Sequence, residues 1–249
     1  MKKIFFLLLI ITNTIGAQTI DELFEKANTL YKNGDYKKAI AAYQEIEKTQ
    51  QISDALYYNL GNSYYKLNKV APTIYNYEKA LQINPLHQDT ANNLVFAKRL
   101  TLDRIEKLPQ TFLQRINKNY LQKLSYNTWS ILTIIFSFLS VLLFLGFYFA
   151  EIPFKKRLFF TTSILSFLLL FTTLAITYSQ YNYHQKNKVA IIFAEKTEIK
   201  NAPTLNSDTV FTLHEGTKII LLDAVDTWKK IKLADGKIGW ILSDDLKEL

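Results

Sequence analysis

Residues 54–87 read DALYYNLGNSYYKLNKVAPTIYNYEKALQINPLH, and parts of this pattern return on both sides at an offset of 34 residues. The offset aligns seven pairs of identical residues, among them Asn28 with Asn62, Tyr31 with Tyr65, Tyr43 with Tyr77, and Asn59 with Asn93. A fixed period of about this length is typical of stacked helical hairpins, because one hairpin cannot bury its apolar face alone. The first part of the chain is therefore predicted to be a repeat array.

The second unit carries small and aromatic residues at regular places: Leu60-Gly61, Tyr64, Tyr77, Ala80 and Pro85. This pattern resembles the tetratricopeptide repeat. The resemblance implies two all-α hairpins over residues 20–53 and 54–87, within a repeat region of residues 20–107. Since a stack must cover its last open face, residues 88–107 are predicted to form a capping helix.

Tetratricopeptide stacks bind peptides along the face of their first helices, so the resemblance implies a partner-binding groove here. The residues expected on it are Phe24, Asn28, Tyr31, Tyr58, Asn59, Asn62, Tyr65, Asn92 and Phe96. Asparagine amides pair with a peptide backbone, and aromatic rings supply contact area. The alternative is that many of these tyrosines are core or solvated surface. Phe24, Asp89 and Asn93 replace the cations that clamp a terminal carboxylate in some family members, so we expect an internal segment or a folded surface as ligand.

The N-terminus has the pattern of a secretory signal. Lys2 and Lys3 precede an apolar run that ends at Ile11, and small residues follow up to Ala17. The run is too short to span a bilayer, which takes about 20 residues. Residues 1–17 are therefore predicted to be a signal peptide, with an uncleaved signal anchor as the alternative. Both place the residues that follow outside the cytoplasm.

Two uncharged apolar stretches, residues 129–150 and 158–178, are long enough to cross a membrane as helices. The loop between them, residues 151–157, holds Lys155, Lys156 and Arg157, and short basic loops are typical of the cytoplasmic side. The predicted topology is a two-pass hairpin in a bacterial inner membrane, with both soluble parts in the periplasm. Residues 110–188 hold eight basic residues and one acidic residue, so anionic lipids are an expected partner.

Residues 109–127 place apolar side chains largely on one helical face and Arg115 and Lys118 on the other. This pattern predicts an amphipathic helix in the outer head-group layer. A continuation of the repeat stack is the alternative.

Residues 189–249 change to short β-branched runs separated by turn signals, which predicts a small all-β barrel. Five runs are apparent. Asp235-Gly236 is expected to form a turn with positive φ, and Gly239 to let its strand approach a neighbour. The order of Gly216, Trp228, Gly239 and Trp240 resembles the bacterial SH3-like domain. Trp228 and Trp240 are interpreted either as packing residues or as a ligand surface. Because members of this family are associated with cell-wall peptides, peptidoglycan is an alternative partner.

The sequence shows no pattern typical of an enzyme. His87, His184 and His214 lie in separate regions without metal-ligand spacing, and no glycine-rich phosphate loop or serine nucleophile motif is present. The chain has no cysteine, and neither soluble part carries the basic face that nucleic-acid binding requires. We expect a non-enzymatic protein without cofactor, metal or nucleic acid.

The order of the parts is distinctive: export signal, repeats, two spans around a basic loop, SH3-like domain. It resembles the BatE family of the Bacteroides aerotolerance operon. That resemblance implies a scaffold in a stress-related envelope complex, with Bat-type proteins bearing von Willebrand A domains as partners. The alternative function is a cell-wall anchor or sensor that acts through the SH3-like domain.

Overall fold

The computed structural model describes residues 20–106 and 108–249 of the chain. The predicted signal peptide, residues 1–17, lies outside these residues. The described chain falls into two compact units. Residues 20–106 and 189–249 form the first, so the repeats and the β-domain belong together, and residues 108–188 form the second.

The repeat part of the first unit consists of helices. They are α1 (residues 20–32), α2 (Tyr36–Lys48), α3 (Asp54–Lys66), α4 (Val70–Ile83) and α5 (Gln88–Lys98). Helices α1 and α2 form one hairpin, joined by contacts of Phe24 and Asn28 with Tyr43, α3 and α4 form the next, and α5 packs on α4. The predicted all-α repeat fold is confirmed.

Small residues stand where these helices approach most closely. A Cβ on Gly61 would lie 2.5 Å from two carbons of the Tyr77 ring, so only glycine allows this packing of α3 against α4. Ala27, Ala39 and Ala80 are completely buried in the same layers. The spacing of small and aromatic residues therefore follows from the distance between the helices of a hairpin.

The last helix of the stack is shorter than predicted. Helix α5 ends at Lys98, and residues 99–106 are not helical, whereas the sequence indicated a capping helix to residue 107. After the helix, Asp103 accepts hydrogen bonds from Thr217 and His214, and Ile105 packs against the core of the β-domain. These contacts with the β-domain stabilise the chain more than a continuation of α5 would, because they provide hydrogen bonds to the Asp103 carboxylate and bury the Ile105 side chain.

The β-domain is one antiparallel sheet of seven strands. They are β1 (Val189–Ile192), β2 (Lys196–Lys200), β3 (Thr209–His214), β4 (Lys218–Val225), β5 (Trp228–Lys232), β6 (Ile238–Leu242) and β7 (Leu246–Glu248). Their order in the sheet is β3-β2-β6-β5-β4-β1-β7. The all-β prediction is confirmed.

Two of the seven strands, β2 and β7, are absent from the five apolar runs of the sequence. Strand β2 alternates charged and inward-facing residues, and only Thr197 and Ile199 are buried. Because strand β2 has a single apolar residue, Ile199, a search for apolar runs does not find it. Both glycine predictions hold: Gly236 has φ +94°, and a Cβ on Gly239 would clash with the Ile199 side chain of β2.

The second unit is dominated by a pair of long apolar helices. It contains α6 (Phe112–Asn119), a 3-10 turn (Leu121–Lys123), α7 (Tyr126–Phe149) and α8 (Pro153–Lys186). Helices α7 and α8 pack on each other, with Ser140 Oγ donating to Ser166 Oγ at 3.0 Å. Both are long and apolar enough to cross a membrane, and little of their apolar surface is buried within the unit.

The two long helices extend beyond the apolar stretches of residues 129–150 and 158–178. Pro153 occupies the first turn of α8, a position where its fixed φ suits a helix. Residues 150–152 are therefore the only non-helical link, instead of residues 151–157, and the basic cluster Lys155-Lys156-Arg157 lies in the first turns of α8.

The amphipathic helix is also shorter than the predicted residues 109–127. Thr111 caps α6 through a capping box with Gln114, and the helix ends at Asn119. Ser125 then caps α7 by accepting from the backbone N–H of Thr128. These two caps split the predicted helix, because each satisfies the free N–H groups of a new helix start.

Candidate functional site

The first helices of the repeats enclose a cavity of about 270 Å³. Its lining residues are Tyr31 of α1, Tyr58, Asn62, Tyr65 and Lys66 of α3, Tyr77 of α4, and Asn93 and Phe96 of α5. Five residues predicted for the groove are thus brought together, and three others join them. We call this cavity with its lining the repeat groove.

Asn62 sits at the centre of a hydrogen-bonded cluster. Its Oδ1 accepts from the Tyr77 hydroxyl at 2.7 Å and from Asn93 Nδ2 at 3.1 Å. One repeat earlier, Asn28 Oδ1 accepts from the Tyr43 hydroxyl at 2.7 Å and from Asn59 Nδ2 at 3.1 Å. The 34-residue period therefore repeats a three-residue hydrogen-bonded unit as well as a packing pattern.

Burial keeps the phenols of these clusters protonated. It raises the pKa of Tyr43 to about 12. Burial also raises the pKa of Tyr77, where it outweighs the opposing hydrogen bond from Asn93. Both hydroxyls consequently donate to their asparagine throughout the physiological pH range, which holds the carboxamides of Asn28 and Asn62 in one orientation.

Four of the predicted groove residues do not line the cavity. Phe24 packs edge-to-face on Tyr43, with ring centroids 5.8 Å apart, at the side of the first core cluster. Asn28 and Asn59 bond to each other across neighbouring repeats. Asn92 accepts from Gln88 on the exposed side of α5. The first three thus stabilise the stack, while Asn92 lies outside it.

A cation stands at the C-terminal end of each of the helices α1, α3 and α5. Lys32 and Lys66 are the last residues of α1 and α3, and Arg99 follows the last residue of α5. All three are exposed, and none has an ion pair within residues 20–106 and 108–249. Lys66 is the one charged residue that lines the cavity in the described chain.

A second assembly of polar residues joins the repeats to the β-domain through the β3–β4 turn, residues 214–217, which we call the docking turn. The backbone N–H and Nδ1 of His214 lie 2.7 and 2.8 Å from the two carboxylate oxygens of Asp103. The Thr217 hydroxyl donates to Asp103 at 2.6 Å. Burial alone would raise the pKa of Asp103, but the hydrogen bonds from His214 and Thr217 outweigh it and lower that pKa.

The two central residues of the docking turn contact the start of α4. Lys69, at the N-cap of α4, provides no capping side chain. Glu215 supplies the missing acceptor, since its Oε2 accepts from the backbone N–H of Ala71 at 3.3 Å, where a carboxylate also complements the helix dipole. Gly216 has φ +83°, and a Cβ there would lie 2.9 Å from Val70 Cγ1.

Glu78 of α4 makes a further link across this interface. Its side chain is 9% exposed, and its carboxylate binds Lys98 Nζ at 2.7 Å and Lys218 Nζ at 2.6 Å. Desolvation alone would raise the pKa of Glu78, but the charges of Lys218 and Lys98 outweigh it and lower that pKa. Sequence reasoning missed this group, because Lys218 lies 140 residues away.

Aromatic residues complete the interface beside Glu78. The rings of Tyr75 and Phe193 meet edge-to-face at 5.6 Å, and Lys247 Nζ lies 4.6 Å from the centroid of Tyr75. Ile191 of β1 is completely buried in the same cluster as Tyr75. The interface therefore combines an apolar core with paired charges, as stable interfaces do.

Two of the three histidines, His214 and His87, have structural roles. His214 binds Asp103, as described above. His87 Nδ1 accepts from the backbone N–H of Thr90 at the start of α5, and its ring stacks on Tyr58 at 4.9 Å. Within the described residues, no three His, Cys, Asp or Glu side chains are grouped to hold a metal ion.

The two tryptophans of the β-domain differ in exposure. Trp228 is 8% exposed at the start of β5, so its ring packs within the domain. Trp240 of β6 is half-buried, and Lys230 Nζ lies 5.7 Å from its ring centroid. Only Trp240 of the pair presents an accessible ring.

Comparison with known families agrees with the two folds. Residues 55–86 match the family described as tetratricopeptide repeat, and residues 196–247 match the family described as bacterial SH3 domain. No curated protein matches the chain. Both families are typically non-catalytic interaction domains, so the chain combines a protein-interaction repeat with a bacterial SH3-like domain.

Proposed function

We propose that this chain is a non-enzymatic, membrane-anchored scaffold that binds a partner protein through the repeat groove. The observation that carries the proposal is the groove itself, a cavity lined by five aromatic rings, four of them on first helices of the repeats and one, Tyr77, on α4. Large aromatic side chains in a concave surface dominate the free energy of many protein interfaces.

The packing of the first unit supports a two-pass anchor. Residues 20–106 precede α7 and α8 in the chain, and residues 189–249 follow them, yet both parts pack into one unit. Parts that touch must lie on the same side of a membrane. If both α7 and α8 cross the membrane, the two parts lie on the same side; if only one of the helices crosses, they lie on opposite sides.

The charge of the link between the helices supports the orientation. Lys155, Lys156 and Arg157 at the start of α8 favour the cytoplasm by the positive-inside rule. The repeats and the β-domain then lie in the periplasm, which agrees with the export signal of residues 1–17. The scaffold works outside the inner membrane.

The resemblance to the BatE family supplies the biological setting of the proposal. That family implies an envelope complex linked to aerotolerance, with Bat-type proteins that bear von Willebrand A domains as partners. The domain content found here agrees with the resemblance.

Partner capture by the groove is tested by crosslinking in native membranes. Tyr65 and Phe96 line the cavity and are 37% and 51% exposed, so their replacement leaves the core intact. We expect Tyr65→Ala with Phe96→Ala to abolish the crosslinked partner at unchanged expression. Ile83→Ala with Val95→Ala is the matched control, since these residues are 37% and 54% exposed and do not line the cavity. Equal crosslinking of both double variants would contradict the proposal.

A second candidate function is cell-wall binding by the β-domain. The bacterial SH3 match and the accessible ring of Trp240 favour it. Cosedimentation of the full chain in detergent micelles with purified peptidoglycan tests it. Retention that Trp240→Ala abolishes would support wall binding, and absence of retention would remove it.

A further inference from the structure

We infer that the partner segment bound by the repeat groove is extended and carries an aromatic residue next to an acidic one. The aromatic side chain enters the cavity, and the neighbouring carboxylate binds Lys66. This inference rests on the proposed function of the groove and specifies the chemistry of its ligand.

The polar lining of the cavity favours a ligand that accepts hydrogen bonds. Asn62 Oδ1 already accepts from Tyr77 and Asn93, which uses both of its lone pairs. Asn62 therefore meets a ligand only with its Nδ2 donor. Asn93 and the tyrosine hydroxyls of the lining can also accept a hydrogen bond, whereas Lys66, its charged residue, has donors alone. A backbone carbonyl at Asn62 and a carboxylate at Lys66 match these groups.

The charge of the groove edge selects an anionic ligand. Lys32, Lys66 and Arg99, at the C-terminal ends of α1, α3 and α5, have no carboxylate partner among residues 20–106 and 108–249. Their place at helix C-termini also suits the helix dipole, which explains why cations occur there. The partial charge of a helix C-terminus compensates a cation only in part, so Lys66, which has no carboxylate partner among the described residues, can still pair with an acidic partner residue.

The size and composition of the cavity select an aromatic side chain. Its volume of about 270 Å³ lies below the range of about 300–1,000 Å³ for drug-sized ligands. Tyr31, Tyr58, Tyr65 and Phe96 surround it, and aromatic rings stack favourably edge-to-face or offset. One aromatic side chain of a bound segment fits this space, whereas a small side chain leaves the rings without contact and a cationic one is repelled by Lys66.

Selection from a phage-displayed library of random heptapeptides tests the inference. The bait is the full chain in lipid nanodiscs. The eluted peptides are sequenced, and the residues next to each Phe, Tyr or Trp are counted. We expect enrichment of Asp or Glu beside an aromatic residue. A Lys66→Glu bait should exchange this preference for Lys or Arg, while a Lys37→Glu bait keeps it, because Lys37 lies on α2 away from the cavity.

The outcomes separate this inference from the proposed function. Enrichment of aromatic-acidic peptides that Phe96→Ala abolishes supports it. The inferred ligand chemistry is overturned if other sequences are enriched, or if Lys66→Glu leaves the preference unchanged. In that case, loss of crosslinking by the groove variants still supports the scaffold function. No enrichment by the wild-type chain also overturns the ligand chemistry, and unchanged crosslinking by those variants contradicts the scaffold itself.

Discussion

Glu78 Oε2 lies 2.6 Å from Lys218 Nζ, although 140 residues separate them in the chain and the two apolar helices lie between them in sequence. The other oxygen of the same carboxylate binds Lys98. One buried side chain thus connects the second repeat, the last helix of the stack and strand β4. The β-domain is held against the repeats by this contact and by the docking turn.

Glu78→Gln should destabilise the first unit by about 1–3 kcal/mol, because it removes two charge-assisted hydrogen bonds from a buried site. The two lysines remain partly exposed, which limits the loss. Urea unfolding of the full chain in detergent measures the effect. A Trp129→Phe background leaves Trp228 and Trp240 as the only tryptophans, so fluorescence reports on the β-domain.

Glu45→Gln is the matched control for this change. Glu45 pairs with Lys48 on the surface of α2, where both side chains are mostly exposed, and such pairs contribute under about 1 kcal/mol. An equal effect of the two substitutions would contradict a special role for Glu78.

Gly216→Ala should weaken docking of the β-domain more than its backbone strain alone explains. The new Cβ would meet Val70 and Thr101 at 2.9 Å, in addition to adopting φ +83°. Gly34→Ala is the control, since Gly34 has φ +84° and nothing within 4 Å of the new Cβ. We expect Gly216→Ala to cost about 1–3 kcal/mol more in urea unfolding. Equal costs would show that the close approach is unimportant.

Acid should weaken the first unit. The pKa values of Glu78 and Asp103 are lowered in the folded state, so folding favours their charged forms. Their contribution is complete above the ordinary carboxyl pKa of about 4 and is lost as pH falls through the lowered values. Unfolding midpoints from pH 7 to pH 3 should fall less steeply for Asp103→Asn than for the wild type. Parallel curves would contradict this assignment.

Asn62→Asp should separate the two roles of Asn62. The carboxylate still accepts from Tyr77 and Asn93, so the stack persists, but the Nδ2 donor to the ligand is lost and a negative charge enters the groove. We expect partner crosslinking to fall at least tenfold, about 1.4 kcal/mol. The equivalent Asn28→Asp lies outside the cavity and should leave crosslinking unchanged. Equal losses would indicate a general effect on the repeats.

The proposed topology predicts opposite labelling of the domains and the link. The chain has no cysteine, so single cysteines report unambiguously. Gln51→Cys in the repeats and Asn206→Cys in the β-domain should react with an impermeant maleimide in spheroplasts. Glu151→Cys between α7 and α8 should react only after lysis. Labelling of Gln51→Cys and Asn206→Cys on different sides would contradict the packing of the first unit.

The sequence alone determined features that depend on near neighbours in the chain. The 34-residue offset predicts the hairpins, because residues such as Gly61 and Tyr77 meet across one hairpin. Apolar length predicts α7 and α8, and Asp235-Gly236 predicts a turn with positive φ. Each feature leaves a local period or a local composition that can be read directly.

Only the tertiary structure decided how the repeats and the β-domain combine. Asp103 meets His214 from 111 residues away, and Glu215 caps a helix from 144 residues away. Neither pair belongs to a repeated offset, so no pattern marks it. Helix α5 ends at Lys98 because the hydrogen bonds from His214 and Thr217 to Asp103 stabilise the chain more than another turn of helix.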